Sequence, residues 1–199
     1  MSVLLDRLRA ESGLIALVPI AMLLIAIPLT IWRVRAGDSW SSAVWKTALD
    51  VAIIGSLAGM LALTLSSLAT GGQGQINLIP FQSLFDSFAL GEFWVGIVLV
   101  DLAANFLLYV PLGLFVGLRL SGLPTLAWAL PVVALSAAIE VVQGSVLNRS
   151  ADVTDGVMNW LGGVAGFAAA RMLQRLIDSR TSESGSGRLS PSEESTPSR

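Results

Sequence analysis

The chain has 199 residues, 54% of them hydrophobic and 13% charged, with a formal net charge of −2 and a mean hydropathy of +0.74. That apolar content exceeds what water-soluble domains carry and points to a polytopic membrane protein, while the near-neutral charge gives no footing for nucleic acid. Cysteine and histidine are both absent, which excludes disulfides, thiol nucleophiles, imidazole bases, haem ligation and the usual zinc sites and leaves any catalysis to carboxylates, Arg, Lys, Tyr, hydroxyls or amides.

A bilayer core about 30 Å thick takes roughly 20 helical residues, and about five segments of that kind follow one another. The first runs from about Leu14 to Trp32, the second from about Val44 to Ala69 and the third from about Phe93 to Leu118. The fourth runs from Pro124 to Gln143 and the fifth from about Thr154 to Leu173. The expected fold is therefore all-α, a polytopic transmembrane helix bundle of about five spans. Arg7 and Arg9 precede the first segment, but its apolar stretch is too long for a signal peptide and Arg33 and Arg35 follow it as a stop, so it reads as a retained helix. Arg33, Arg35 and Lys46 follow the first span, Arg119 the third, and Arg171, Arg175 and Arg180 the fifth, and by the positive-inside rule this places the N-terminus outside and the C-terminus in the cytoplasm. Arg7, Arg9 and Arg149 stand on the other side.

Domain organisation follows: residues 1–43 are an additional N-terminal transmembrane helix with its linker, 44–177 a membrane domain, and 178–199 a Ser-, Glu-, Gly- and Pro-rich cytoplasmic tail with too little to bury, expected to be disordered. The loop from Gly71 to Glu92 lacks Lys and Arg and carries Ile76, Leu78, Ile79, Phe81, Leu84, Phe85 and Phe88. A stretch this apolar is expected to form a re-entrant or interfacial lid rather than lie in water.

Polar groups interrupt the apolar segments in one layer. By helical rise, Asp101 and Asn105 sit roughly 12 and 18 Å below the start of the third span, and Asn159 about 8 Å into the fifth. Glu140 lies within about a turn of the exit of the fourth. The order of spans alone puts all of them in the same half of the bilayer. Asp155, Asn159, Gly162 and Gly166 share one helix face, Asp101 and Asn105 form an i, i+4 pair, and Glu140 and Gln143 are i, i+3 neighbours backed by Ser136. Buried polar groups of this kind face a bundle interior or a hydrated cavity and mark a working site.

These residues resemble the VanZ-like membrane proteins, a family named for a protein associated with resistance to the glycopeptide teicoplanin. The resemblance is carried by Asn77-Leu-Ile-Pro80-Phe81, by Asn105 with Tyr109-Val-Pro111-Leu-Gly113, and by Glu140-x-x-Gln143. The last piece is Arg149-x-x-Asp152-x-x-Asp155-x-x-x-Asn159-x-x-Gly162-x-x-x-Gly166, and together they span about residues 50 to 177. It implies a four-helix core, with the first helix of this chain an addition, in a bacterial cell-envelope protein linked to glycopeptide susceptibility. It supplies no established reaction. Tyr109 stands where Phe is frequent in the family.

Each feature has a plain and a functional reading. Arg149 either anchors the interface or offers a bidentate fork to a phosphate or carboxylate. Asp152, Thr154 and Asp155 suit the N-terminal cap of the fifth helix, and Asn105 and Asn159 suit interhelical hydrogen bonds. Gly55-x-x-x-Gly59, Gly113-x-x-x-Gly117 and Gly162-x-x-x-Gly166 suit close helix contact, and Pro111 a kink. Functionally, Arg149, Asn159, Asn105, Gln143 and Asn77 are candidate ligand-binding residues, and Glu140, Asp152 and Asp155 candidate catalytic carboxylates. No metal-binding signature is present, and the expectation is no cofactor, with Mg²⁺ held by these acids against a substrate phosphate as the alternative. The expected partners are the lipid bilayer and a lipid-linked envelope precursor, held in an outward-facing polar groove. The glycine motifs permit an oligomer. The competing expectation is a membrane-embedded enzyme acting on a phosphate, ester or glycosyl bond of an envelope lipid, and a small transporter ranks third.

Overall fold

The computed structural model describes residues 20–65, 76–120, 122, 124–145 and 151–186. Six helices make up almost all of it: α1 over 20–35, α2 Trp40–Leu65, α3 Gln82–Leu90, α4 Glu92–Arg119, α5 Thr125–Ser145 and α6 Val153–Ser186. The only other regular feature among the described residues is a two-residue parallel pairing of β1 (Ile76–Asn77) with β2 (Ala151–Asp152).

Two of these helices, over Trp40–Thr64 and Glu92–Arg119, are long and apolar enough to cross a membrane. Only 17% of each apolar window is buried within the protein. Large side chains such as Leu63, Phe93 and Val100 face outward, the reverse of a core helix in a soluble protein and consistent with lipid as the surrounding medium. α5 carries a shorter apolar stretch, Leu130–Ile139. The start of the first expected span, before residue 20, lies outside the described residues.

Met22 of α1 meets Gly55 of α2 while Arg33 reaches Thr47, so the two are antiparallel. α4 and α6 run parallel: Gly162 packs on Phe106, Gly166 on Val110, and Gly117 on Phe167 and Ala170. A methyl at Gly113, Gly162 or Gly166 would overlap the carbonyl oxygen of Gly163, Phe106 or Val110 respectively, so here two backbones touch with no room for a side chain. Gly59, by contrast, faces open space. Around this seam lies the core of Met60, Tyr109, Leu112, Val116, Val132, Ile139 and Phe167. α4 continues through Pro111 without ending.

The parallel α4–α6 pair gives the bundle two unlike ends. At one lie β1, β2, α3 and the starts of α4 and α6. At the other, Arg33 and Arg119 converge on Asp50, bonding its two carboxylate oxygens separately, the second at 2.7 Å. Arg33 also donates to Thr47 Oγ1 at 2.8 Å. This triad ties α1, α2 and α4 together.

The segment from Asp178 differs from its expected disorder: α6 continues through it as far as Ser186. Composition speaks to whether a segment can bury a core, whereas a helix already nucleated by packing extends outward one hydrogen bond per residue at little cost. Residues 187–199 lie outside the described residues.

Candidate functional site

The site begins with the parallel pairing of β1 and β2, whose register sets Asn77 beside Asp152. Asn77 Nδ2 donates to Asp152 Oδ2 at 3.0 Å, and its own Oδ1 accepts from the Ile79 amide at 3.2 Å, which tightens the turn toward α3. From α3, Ser83 Oγ donates to the same carboxylate oxygen at 2.9 Å. The Thr154 amide donates to Asp152 Oδ1 at 2.8 Å, so Asp152 caps α6. Thr154 is itself buried, and its Oγ1 accepts from the Phe81 amide at 2.9 Å. Phe81 has φ 61°, the left-handed region that a bulky residue rarely enters, and this amide bond to Thr154 is one of the contacts that hold it there. The segment between β1 and α4 is thus a turn and a short helix clamped onto the start of α6.

Burial pushes the Asp152 carboxyl upward, but the hydrogen bonds from Thr154, Ser83 and Asn77 outweigh it and hold the group below its ordinary value of 3.8. A carboxylate with a lower pKa folded than unfolded stabilises the fold above its unfolded pKa. That contribution fades as pH falls through the folded value. The difference in melting temperature between the parent protein and Asp152→Asn is accordingly expected to be full at neutral pH and to shrink below pH 3.8. A difference that grew on acidification would contradict this assignment.

Behind the clamp, Asn105 of α4 donates to Asp155 of α6 at 2.8 Å, and Asp101 lies one turn before Asn105. A cavity of about 300 Å³ is lined by Asp101, Asp152 and Asp155 with Ser83, Thr154 and Phe81. A second, apolar cavity of about 500 Å³ also reaches Asp152, between α5 and α6, with walls that include Leu78, Val133, Val141, Val157 and Trp160. Asp152 belongs to both linings.

The structure therefore brings together Asn77, Asp152, Asp155 and Asn105. Asn159 lines neither cavity itself, although its partner Ser136 lines the apolar one. Asn159 is buried at 4% exposure, its Nδ2 donates to Ser136 Oγ of α5 at 3.1 Å, and its Oδ1 has no partner among the described residues. Glu140 and Gln143 fall on α5 with their side chains outside the description, and Arg149 lies outside the described residues. Among the described residues no group of three or more acids is arranged to hold a metal ion. Sequence reasoning missed Ser83 as a partner of Asp152, for which a lone serine in an apolar loop gives no signal. It also missed the Arg33–Asp50–Arg119 triad, whose signal was present: an acid inside the second span with arginines closing the first and third.

The fold and site define a class: an all-helical bundle with membrane-length apolar helices and a polar pocket at the end where α4 and α6 begin. The VanZ/LLP1 family model matches residues 14–174, and the chain belongs to that family. The match takes in α1 as well as the motif-bearing region. No curated protein and no solved structure matches the chain.

Proposed function

We propose that this protein spans the cell membrane about five times, N-terminus outside, and binds a lipid-linked envelope precursor at its outer end. The observation that carries the reading is the meeting of the two cavities at Asp152. An amphiphile needs an apolar trough for its chain and a polar recess for its headgroup, side by side, and both volumes fall within the range of ligand sites. Carboxylates accept hydrogen bonds and repel phosphate, so Asp101, Asp152 and Asp155 suit a headgroup rich in hydroxyl or amine donors. The phosphate of such a ligand falls to Arg149, three positions before Asp152 in sequence. Retaining that precursor would alter what a glycopeptide such as teicoplanin reaches, the property for which the family is named.

Cells expressing the chain are expected to show altered glycopeptide susceptibility that Arg149→Ala abolishes at unchanged protein level. Equal susceptibility in both strains would remove the reading. Asp152 and Asp155 in the polar recess also support a second one, an acid–base enzyme acting on an envelope lipid with Glu140 as the proton-transferring group. It requires a chemically altered lipid in extracts, absent with Glu140→Gln. Unchanged lipid mass spectra would leave the binding role alone.

A further inference from the structure

The end of the bundle opposite the polar pocket carries a different charge balance. Arg33 and Arg119 share the single carboxylate of Asp50, and Lys46 is bridged to Asp38 at 2.7 Å. The triad itself thus sums to one positive charge, with the Arg33 side chain only 10% exposed. α6 passes beside this end: Gln174 Nε2 donates to the carbonyls of Gly117 and Leu118 at 3.3 Å, next to Arg119, and Arg171 donates to Gln174 Oε1 at 3.3 Å. A depression of about 440 Å³ there is lined by Arg171, Gln174, Arg175, Ile177 and Asp178. Asp178 shares this lining with the two arginines, Arg171 and Arg175. The two stand one helical turn apart, on the same face of α6. By contrast the described charged residues of the pocket end, Asp86, Glu92, Asp101, Asp152 and Asp155, are all acidic.

We propose that the depression beside the Asp50 triad is a binding site for the phosphate headgroup of an anionic phospholipid, with Arg171 and Arg175 as its ligands. Gln174 sets the geometry by fastening this turn of α6 to the end of α4. Guanidinium forks suit a phosphate bidentately, and the apolar surface of Leu173 and Ile177, exposed on the same stretch, suits the acyl chains. The site rests on the membrane-spanning reading but not on the pocket at the other end, so either can fail alone.

The test uses the full chain purified in neutral detergent, with its melting temperature followed as phosphatidylglycerol, phosphatidylcholine or inorganic phosphate is added. Phosphatidylglycerol is expected to raise the melting temperature saturably, and the other two not. Removing one arginine should weaken apparent affinity roughly fivefold, from about 1 kcal/mol per basic residue at an anionic membrane surface. Arg171→Ala with Arg175→Ala should abolish the shift, and the paired lysine variant should restore part of it. Arg35→Ala, an exposed arginine outside the depression, should leave it intact. An equal shift with phosphatidylcholine would overturn the proposal, as would one reproduced by inorganic phosphate or retained in the double alanine variant.

Discussion

Replacing Asp50 with alanine is expected to destabilise the protein by about 3 kcal/mol, read as a lower midpoint of thermal or denaturant unfolding in detergent. The acid is the shared partner of two arginines on two other helices, each bonded to a different oxygen. Removing it leaves two guanidiniums facing one another, with Arg33 nearly closed off from solvent and keeping only Thr47 as a side-chain partner among the described residues. Breaking a buried pair from one side costs more than the pair contributes, because the remaining charge stays desolvated. Asp50→Leu combined with Arg33→Met should recover much of the loss. A midpoint equal to the parent's in Asp50→Ala would show that the triad does not hold α1 and α4 to α2.

The second large effect falls on the α4–α6 seam. Gly162→Ala and Gly166→Ala are each expected to cost about 3 kcal/mol, the upper part of the usual cost of overpacking, because the atom that must give way is a backbone carbonyl rather than a flexible side chain. Valine at either position should prevent folding. Gly59→Ala supplies the contrast: its methyl meets nothing within 4 Å. It should be neutral or stabilising by about 0.5 kcal/mol through better helix propensity. Equal melting of Gly166→Ala and Gly59→Ala would mean the helices are farther apart than described.

Legibility from sequence followed the kind of interaction involved. Long apolar runs specify helices almost alone, because lipid leaves the backbone no other partner, and α2, α4 and α5 fall within a few residues of the expected segments. The glycine spacing read as close contact is realised in Gly113, Gly117, Gly162 and Gly166 but not at Gly59, since a spacing rule cannot tell which face meets a neighbour. Asp152 was legible as a cap of the fifth helix and Asn77 as a polar member of the apolar loop's motif, while their union depends on a parallel pairing across many residues that no local pattern encodes. Asn159 shared a helix face with Asp155, yet the two diverge: Asp155 meets Asn105 on α4 and Asn159 meets Ser136 on α5. A face wide enough for two neighbours serves both. The apolar loop was expected to cover the polar layer, and its helix α3 sends Ser83 to Asp152.

The most direct measurement is equilibrium binding of a fluorescent polyprenyl-diphosphate saccharide to the purified full chain, against the same lipid without its saccharide. The two-cavity account predicts saturable binding that weakens about tenfold, or 1.4 kcal/mol, when the saccharide is removed. A similar loss is expected when Val157→Trp fills the apolar trough or Asp101→Asn removes a carboxylate from the polar recess. Binding that is absent, or indifferent to the saccharide and to both substitutions, would contradict it.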